Sequence, residues 1–110
     1  MKISFEKSFS EIGFLRLKGL YKIVNTVNGH WYVGSTSMGF AKRFRNHREK
    51  LRKGNHANPH LQNAYNKYGE KSFVCIVFKS SEDSQFREDE QRILDKHFGK
   101  PYCYNVSKEL

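Results

Sequence analysis

Two short apolar runs near the start of the chain predict a β-hairpin. The first run, GLYKIV over residues 19–24, and the second, HWYVGS over residues 30–35, are rich in aromatic and β-branched residues, which favour strands. The residues between them end in Asn28-Gly29, a pair that tolerates the positive φ angles of a tight turn. We therefore expect two antiparallel strands joined at this turn.

Helical periodicity begins after the hairpin. Phe40, Phe44, His47 and Leu51 recur at helical spacing, and Gly54 follows where a left-handed residue would end the helix, which predicts a first helix over residues 39–53. A second helix is predicted to start at Asn58-Pro59, which joins a favoured N-cap to a proline in the first turn, and to end before residue 69.

The last third of the chain predicts one more strand and one more helix. FVCIVF, over residues 73–78, is a continuous apolar run, as expected of a central strand buried on both faces. A third helix is predicted from about Glu82 to His97, with Ser81 as its candidate cap and Glu82 and Asp83 in its first turn. The order of elements is β-β-α-α-β-α. In residues 1–18, positions 5, 9 and 12 fit a helical stripe, whereas positions 14–18 fit a strand, so this segment stays open.

Length and composition indicate one folded unit. The chain has 110 residues, with 37% hydrophobic residues, 15% aromatic residues and a mean hydropathy of −0.78. A chain of this composition is too rich in aromatic residues for a disordered tail and too polar for a membrane span. We expect a single domain over residues 19–110, preceded by an N-terminal extension over residues 1–18. Two cysteines and no signal-peptide pattern predict free thiols and a cytoplasmic protein without membrane contact.

The positive charge is concentrated on the first predicted helix. The chain has a formal net charge of +9, and residues 40–56 hold seven Lys and Arg side chains against Glu49 alone. A helix face that is merely solvated usually mixes both signs, whereas a one-sided run favours contact with a polyanion. We interpret the run as a surface for nucleic-acid backbone phosphates. Its candidate contact residues are Lys42, Arg45, Arg48, Lys50, Arg52 and Lys53.

One carboxylate falls on the apolar stripe of the last predicted helix. Glu90 shares a helical face with Phe86, Ile93 and Leu94. A carboxylate that faces a core is costly unless it is paired, hydrogen-bonded or bound to a metal. An ion pair with an arginine of another helix is one explanation. Beside a phosphate-attracting helix, metal-assisted phosphodiester chemistry is the other.

Other polar and aromatic residues are less informative by themselves. His56 and His60 are spaced as two zinc ligands on one helix face would be, but no third ligand is evident, so we do not expect a zinc site. Tyr21 and Tyr32 lie on the paired strands, where cross-strand packing alone would explain them.

Taken together, these residues resemble the signature of the GIY-YIG nucleases. Gly19-Leu20-Tyr21 and Tyr32-Val33-Gly34 stand where the two naming tripeptides would, with conservative apolar changes at the middle positions. The remaining matches, which extend the resemblance to about residue 105, are Asn25, Arg43, His47, Gly54-x-His56, Glu90 and Tyr104-Asn105. The chain is most similar in appearance to the catalytic modules of phage-type homing endonucleases. The resemblance implies an α+β fold with a small central antiparallel sheet of about three strands, flanked by helices.

The resemblance also implies roles for individual residues. Glu90 would hold a single divalent cation, Mg2+ or Mn2+, and Arg43 would clamp a non-bridging phosphate oxygen. Tyr21 would position or deprotonate the attacking water, with His47 or His56 assisting. Tyr32 would hydrogen-bond the phosphate or the water. Asn105 would orient groups around the metal or close the site.

The function implied is that of a metal-dependent DNA endonuclease of phage or mobile-element origin. One active site per chain would cut one strand at a time, so double-strand cleavage would need two sequential events or a homodimer on DNA. The alternatives are a basic DNA-binding protein that has lost catalysis and a structural protein bound to RNA. The chain's own loops, residues 1–18 or a partner protein would supply sequence specificity, and the sequence leaves this choice open.

Overall fold

The chain forms four strands and three α-helices in this computed structural model, which describes residues 2–5, 18–81 and 86–105. The strands are β1 (Lys2–Ser4), β2 (Lys18–Asn25), β3 (Trp31–Thr36) and β4 (Phe73–Ser81). The helices are α1 (Phe40–Lys53), α2 (Pro59–Tyr68) and α3 (Arg87–His97), and a single 3-10 turn over Glu70–Ser72 leads into β4. All neighbouring strands are antiparallel, in the order β1-β4-β2-β3. The predicted α+β class is confirmed.

The β2–β3 hairpin forms where the sequence predicts it. The pairing runs from Gly19 opposite Thr36 to Val24 opposite Trp31. Backbone hydrogen bonds close the turn, and Gly29 has a φ of 76°, a conformation that a glycine adopts without strain. The hairpin places β3 at the edge of the sheet.

Local capping explains the boundaries of α1 and α2. The φ of Gly54 is 76°, and its backbone N–H donates to the Leu51 carbonyl, which ends α1 as predicted. The side chain of Asn58 accepts the N–H of Leu61 at 3.1 Å, and Pro59 occupies the first turn of α2. Both helices are therefore predictable from residues at their own ends.

Three details differ from the sequence predictions. The sheet has a fourth strand, β1, which lies in the segment that the sequence left open; residues 6–17 lie outside the described part. The helix α3 begins at Arg87, and Ser81 belongs to β4, so Ser81 is not the helix cap; residues 82–85 also lie outside the described part. The strand β4 is central, as predicted, but its end is not buried, because Phe78 is 44% exposed.

The core lies between one face of the sheet and the helices α1 and α2. Strand residues at alternate positions, among them Ile23, Phe73 and Cys75, are fully buried there. The helix α1 contributes Phe40 and Phe44 to the same cluster. On the opposite face, α3 contacts β3. The edge strand β3 thus lies between α1 and α3, and side chains from both helices contact it.

Two further sequence predictions concern cysteine and the membrane. Cys75 and Cys103 are free and buried thiols, as predicted. Within the described ranges, no helix has the length and apolarity needed to cross a membrane.

Candidate active site

Tyr21 is the centre of the candidate site. It lies on the β2 face that packs against α1, and its side chain has no exposed surface. The rings of Phe40 and Phe44 meet it edge-on, with centroid distances of 6.3 and 5.1 Å. Its hydroxyl oxygen accepts the Arg43 Nε–H at 3.1 Å and lies 2.7 Å from His47 Nε2. An apolar socket therefore holds the ring while its oxygen faces two nitrogen groups.

Gly34 makes room for the Tyr21 hydroxyl. It is the residue of β3 directly opposite Tyr21 in the strand pairing. A Cβ added at Gly34 would lie 2.5 Å from the Tyr21 oxygen and 2.7 Å from Cζ. The tripeptide Tyr32-Val33-Gly34 thus ends in glycine for a steric reason that the sequence did not reveal.

Replacing Gly34 with alanine should displace the Tyr21 hydroxyl from Arg43 and His47. We expect the free energy of unfolding to fall by about 1–3 kcal/mol, as for an overpacked core, and activity to fall further than that loss explains. Gly69→Ala is the matched control. The φ of 84° at Gly69 strains an alanine, so this variant also loses stability, but its added Cβ meets no atom within 4 Å. Chemical denaturation and activity below the unfolding transition measure both effects. Equal losses of activity in the two variants would contradict this role.

The helix α1 brings Arg43 and His47 to the same oxygen because they are spaced i, i+4. His47 Nδ1 lies 2.7 Å from His56 Nε2, and the two rings stack with centroids 5.0 Å apart. The turn that follows Gly54 delivers His56, whose Nδ1 accepts the backbone N–H of Asn58 at 3.0 Å. Four side chains, which come from β2, α1 and the turn after α1, therefore form one continuous hydrogen-bonded row.

Burial and charge act in opposite directions on the two tyrosines. Burial raises the pKa of Tyr21 well above its ordinary value, while the guanidinium of Arg43 lowers it in part. Burial also raises the pKa of Tyr32, whose ring packs edge-on to His47 at 5.4 Å. Burial lowers the pKa of Arg43, but the two phenols more than offset this, so its pKa is raised. Arg43 is therefore a permanent cation in contact with the site oxygen.

Both histidines are neutral at physiological pH. Burial, followed by the charges of Arg43, His56 and Lys50, holds the pKa of His47 well below its usual value. Burial and the charges of Lys50 and Arg43 lower the pKa of His56 to about 4. Neither histidine ring therefore contributes a positive charge to the site.

Glu90 approaches the edge strand from the other helix. It is 8% exposed, on the face of α3 that also buries Leu94. Its carboxylate accepts a hydrogen bond from the hydroxyl of Ser35 on β3. Burial raises the pKa of Glu90, and Ser35 and the charge of Arg43 lower it in part. Sequence reasoning missed Ser35, although it directly follows the second tripeptide.

The environment of Glu90 bears on the two explanations for its position. Among the described residues its hydrogen-bond partner is a hydroxyl, and no arginine forms an ion pair with it. No group of three or more His, Cys, Asp or Glu side chains in the described ranges could hold a metal ion. A lone carboxylate suits Mg2+, which keeps several water ligands and is commonly held by one or two carboxylates and substrate phosphates. This single carboxylate is compatible with that cation, and among the described residues no zinc-type set of ligands accompanies it.

Asn105 lies beside the site and is hydrogen-bonded to the edge strand β3. Its Oδ1 accepts the Val33 N–H and its Nδ2 donates to the Val33 carbonyl, both at 3.0 Å. The preceding Tyr104 accepts a hydrogen bond from Asn25 at 3.2 Å. These contacts attach the C-terminal segment to the hairpin. Asn105 thus holds the edge strand in place and is not hydrogen-bonded to Tyr21, Arg43 or Glu90.

Two of the six basic residues predicted to contact nucleic acid have partners inside the protein. Arg48 is half-buried and donates to the Phe5 carbonyl at 3.2 Å, while Arg52 forms a two-point ion pair with Glu70 at 2.6 and 2.9 Å. The buried stripe of α1 separates these two arginines, which lie on one flank of it, from Arg43, which lies on the other flank. These internal partners compete with the predicted contacts of Arg48 and Arg52 with nucleic acid, which stay predictions.

The other four basic residues are exposed. Lys50 follows Arg43 around the helix and acts electrostatically on both histidines. Lys53 and Lys42 come next, and Arg45 lies beyond them. A surface pocket of about 290 Å³ is lined there by Asn46, Glu49, Lys50, Lys53 and Asn55. This lysine surface, formed by Lys42, Lys50 and Lys53, continues outward from Arg43.

Known proteins share this fold and this arrangement of elements. A family model described as the GIY-YIG catalytic domain matches residues 17–102. The Intron-associated endonuclease 1 of Enterobacteria phage T4 is 41% identical over 61 residues, which are 56% of this chain and 24% of that protein. A mutant of the catalytic domain of intron endonuclease I-TevI has a TM-score of 0.74 at 30% identity, covering 86% of this chain and 97% of that chain. A second structure of the catalytic domain of homing endonuclease I-TevI has a TM-score of 0.71 at 32% identity, covering 82% and 98%.

The fold and the site together define a GIY-YIG catalytic domain. The chain belongs to the GIY-YIG family, which confirms the resemblance inferred from Gly19-Leu20-Tyr21 and Tyr32-Val33-Gly34. It spans about a quarter of the length of the phage relative and nearly all of the two solved catalytic domains.

Proposed function

We propose that this protein is a metal-dependent DNA endonuclease that hydrolyses phosphodiester bonds. The observation that carries the proposal is the hydrogen-bonded cluster of Tyr21, Arg43 and His47, with the buried Glu90 close enough to interact electrostatically with Arg43 and Tyr32. A permanent cation, a buried phenol and a metal-competent carboxylate converge on one edge strand. The relatives are named as endonucleases, which supports the same chemistry.

Each side chain has a defined task in this proposal. Arg43 binds a non-bridging oxygen of the scissile phosphate, where its fixed charge stabilises the charge that develops in the transition state. Tyr21 positions the attacking water and accepts its proton in the phenolate form, which is reached when the phenol loses its proton to solvent and which the charge of Arg43 favours against the effect of burial. The water oxygen bonds to phosphorus, the bond to the leaving oxygen breaks, and that oxygen takes a proton from solvent. Glu90 would hold a divalent cation, which supplies charge neutralisation at the phosphate and the leaving oxygen.

The lysine surface extends the site along a nucleic-acid backbone. Lys42, Lys50 and Lys53 lie on the same side of α1 as Arg43, so a strand whose phosphate reaches Arg43 passes over their ammonium groups. Such contacts supply affinity and register without reading bases. One cluster per chain cuts one strand at a time, so we expect nicked DNA as the first product of a monomer.

The salt dependence of DNA binding should separate Lys53 from its neighbour Arg52. Lys53→Gln should reduce the slope of log Kd against log salt by about 1, because one phosphate contact is lost. Arg52→Gln removes the same charge but breaks the ion pair with Glu70, so it should leave that slope nearly unchanged. Titrations of a duplex at several salt concentrations in EDTA provide the comparison. Equal slopes in both variants would show that only net charge matters.

A basic DNA-binding protein without catalysis is the alternative function. The two are separated by measuring binding and cleavage of the same labelled duplex with Mg2+ and with EDTA. The endonuclease should lose cleavage in EDTA and keep binding. Binding with no cleavage at any Mg2+ or Mn2+ concentration would favour the alternative.

A further inference from the structure

The row of hydrogen bonds that leads to Tyr21 begins at a backbone N–H group, which can donate a hydrogen bond but cannot accept one. The backbone N–H of Asn58 donates to His56 Nδ1 at 3.0 Å. His56 Nε2 then lies 2.7 Å from His47 Nδ1, and His47 Nε2 lies 2.7 Å from the Tyr21 oxygen. A peptide N–H is always a donor, so its position fixes the roles of the groups that follow.

The tautomers of both rings follow from this starting point. His56 Nδ1 accepts from Asn58 and therefore carries no proton, so a neutral His56 has its proton on Nε2. That proton is donated to His47 Nδ1, which leaves the proton of a neutral His47 on Nε2. Protonation of His56 would place two N–H groups against each other at Asn58. The lowered pKa values of both histidines agree with neutral rings.

We propose that His56 is a positioning residue that acts through His47 to present an N–H donor to the Tyr21 oxygen. The Tyr21 oxygen then accepts two hydrogen bonds, one from Arg43 Nε and one from His47 Nε2. With both of these donors aimed at the oxygen, the phenol's own proton has no acceptor at His47 and is directed elsewhere. The opposite arrangement, in which Tyr21 donates to a bare His47 nitrogen, is incompatible with the N–H of Asn58.

This direction of hydrogen bonding defines the part that each group takes in hydrolysis, and this consequence rests on the proposed function. Two donors on one oxygen stabilise the phenolate over the phenol. The two donors therefore oppose the effect of burial, which raises the pKa of Tyr21, and favour the form of Tyr21 that accepts the proton of the attacking water. His47 and His56 hold that oxygen ready and do not themselves take the proton.

The titratable and charged groups around Tyr21 come from three elements. They are Tyr32 on β3, Cys75 on β4, and Arg43 and His47 on α1. Of these, only Arg43 and His47 donate hydrogen bonds to the Tyr21 oxygen. Loss of the His47 donor should therefore raise the pKa of Tyr21 further.

Histidine tautomers are measured directly on the 15N-labelled protein, without DNA or metal, by two-bond 1H–15N correlation spectra at pH 7. His47→Gln and His56→Gln assign the two rings among the five histidines. We expect both His47 and His56 to carry the proton on Nε2. A proton on Nδ1 of either ring overturns the proposal, whether or not the protein cleaves DNA.

A pair of variants tests the consequence for Tyr21. His56→Gln keeps an N–H donor toward His47, whereas His56→Leu removes it. In His56→Leu we expect His47 to lose its single tautomer, the cleavage rate to fall by about 10- to 100-fold, and the rate–pH profile to move to higher pH. His56→Gln should restore most of the rate and the original profile. The same profile in both variants would overturn the positioning role, and if neither cleaves DNA, the tautomer spectrum of His47 decides.

Discussion

Glu90→Gln is expected to abolish DNA cleavage while making the metal-free protein more stable. The amide oxygen of Gln still accepts the Ser35 hydroxyl, so the local structure is kept, but the carboxylate that would hold the cation is gone. We expect cleavage to fall by at least about 10³-fold, the scale of losing a principal electrostatic group.

The stability effect follows from the raised pKa of Glu90, which burial causes. A carboxyl group whose pKa is raised in the folded state favours folding below its unfolded pKa, and this contribution is lost as the pH rises through the folded pKa. At pH 7 the ionised carboxylate therefore costs stability, and at low pH the cost disappears. In EDTA, Glu90→Gln should raise the free energy of unfolding at pH 7 and change it little at pH 4 or below.

Glu88→Gln is the matched control, because Glu88 is exposed on the same helix. It should leave both cleavage and the pH dependence of stability nearly unchanged. Chemical denaturation at several pH values and cleavage under single-turnover conditions give the two readouts. If Glu90→Gln were less stable than the wild type at pH 7 in EDTA, Glu90 would be a structural residue rather than a metal ligand.

Arg43→Lys is expected to lower the cleavage rate by about 10²- to 10³-fold, although the positive charge is retained. The guanidinium binds the Tyr21 oxygen through Nε and is also hydrogen-bonded with Tyr32, and its remaining N–H groups can bind a phosphate. An ammonium cannot reach all of these partners with fixed geometry. The loss should appear in the single-turnover rate and much less in DNA affinity, because charge is conserved.

Arg45→Lys on the exposed face of α1 is the control for this substitution. It makes the same chemical change two residues further along α1, at an exposed position, and should leave the cleavage rate nearly unchanged. An Arg43→Lys variant that loses affinity and rate in equal proportion would show that Arg43 only attracts DNA. Full activity in Arg43→Lys would remove the guanidinium from the proposed mechanism.

The parts of the fold that the sequence predicts are those whose causes are local. The glycine at 54 and the Asn58-Pro59 pair end and begin helices through contacts within a few residues. The strand β1 was not predicted, because three residues gain their stability only from pairing with β4, some 70 positions away. The start of α3 was misplaced because Phe86 precedes it without any side-chain cap.

The candidate site shows the same division. The helical spacing of Glu90 predicted an unusual carboxylate, and the resemblance pointed to Arg43 and His47, which share one face of α1 because of their i, i+4 spacing. Their partners depend on how distant elements meet. The contact of Gly34 with Tyr21 requires the strand register, and the Ser35 hydroxyl at Glu90 requires α3 to cross β3. The internal partners of Arg48 and Arg52 are remote in sequence, so the sequence alone does not show them.

The most direct test of the proposed endonuclease is a time course of supercoiled plasmid with the purified wild-type chain and Mg2+. Gel electrophoresis separates supercoiled, nicked and linear forms, and sequencing of the cut ends locates the cleaved bonds. We predict nicked circles as the first product, no product in EDTA, and recovery of cleavage when Mg2+ is added in excess over the chelator. Plasmid that stays supercoiled at every Mg2+ and Mn2+ concentration, or cleavage that continues unchanged in EDTA, would contradict a metal-dependent centre built on Tyr21, Arg43 and Glu90.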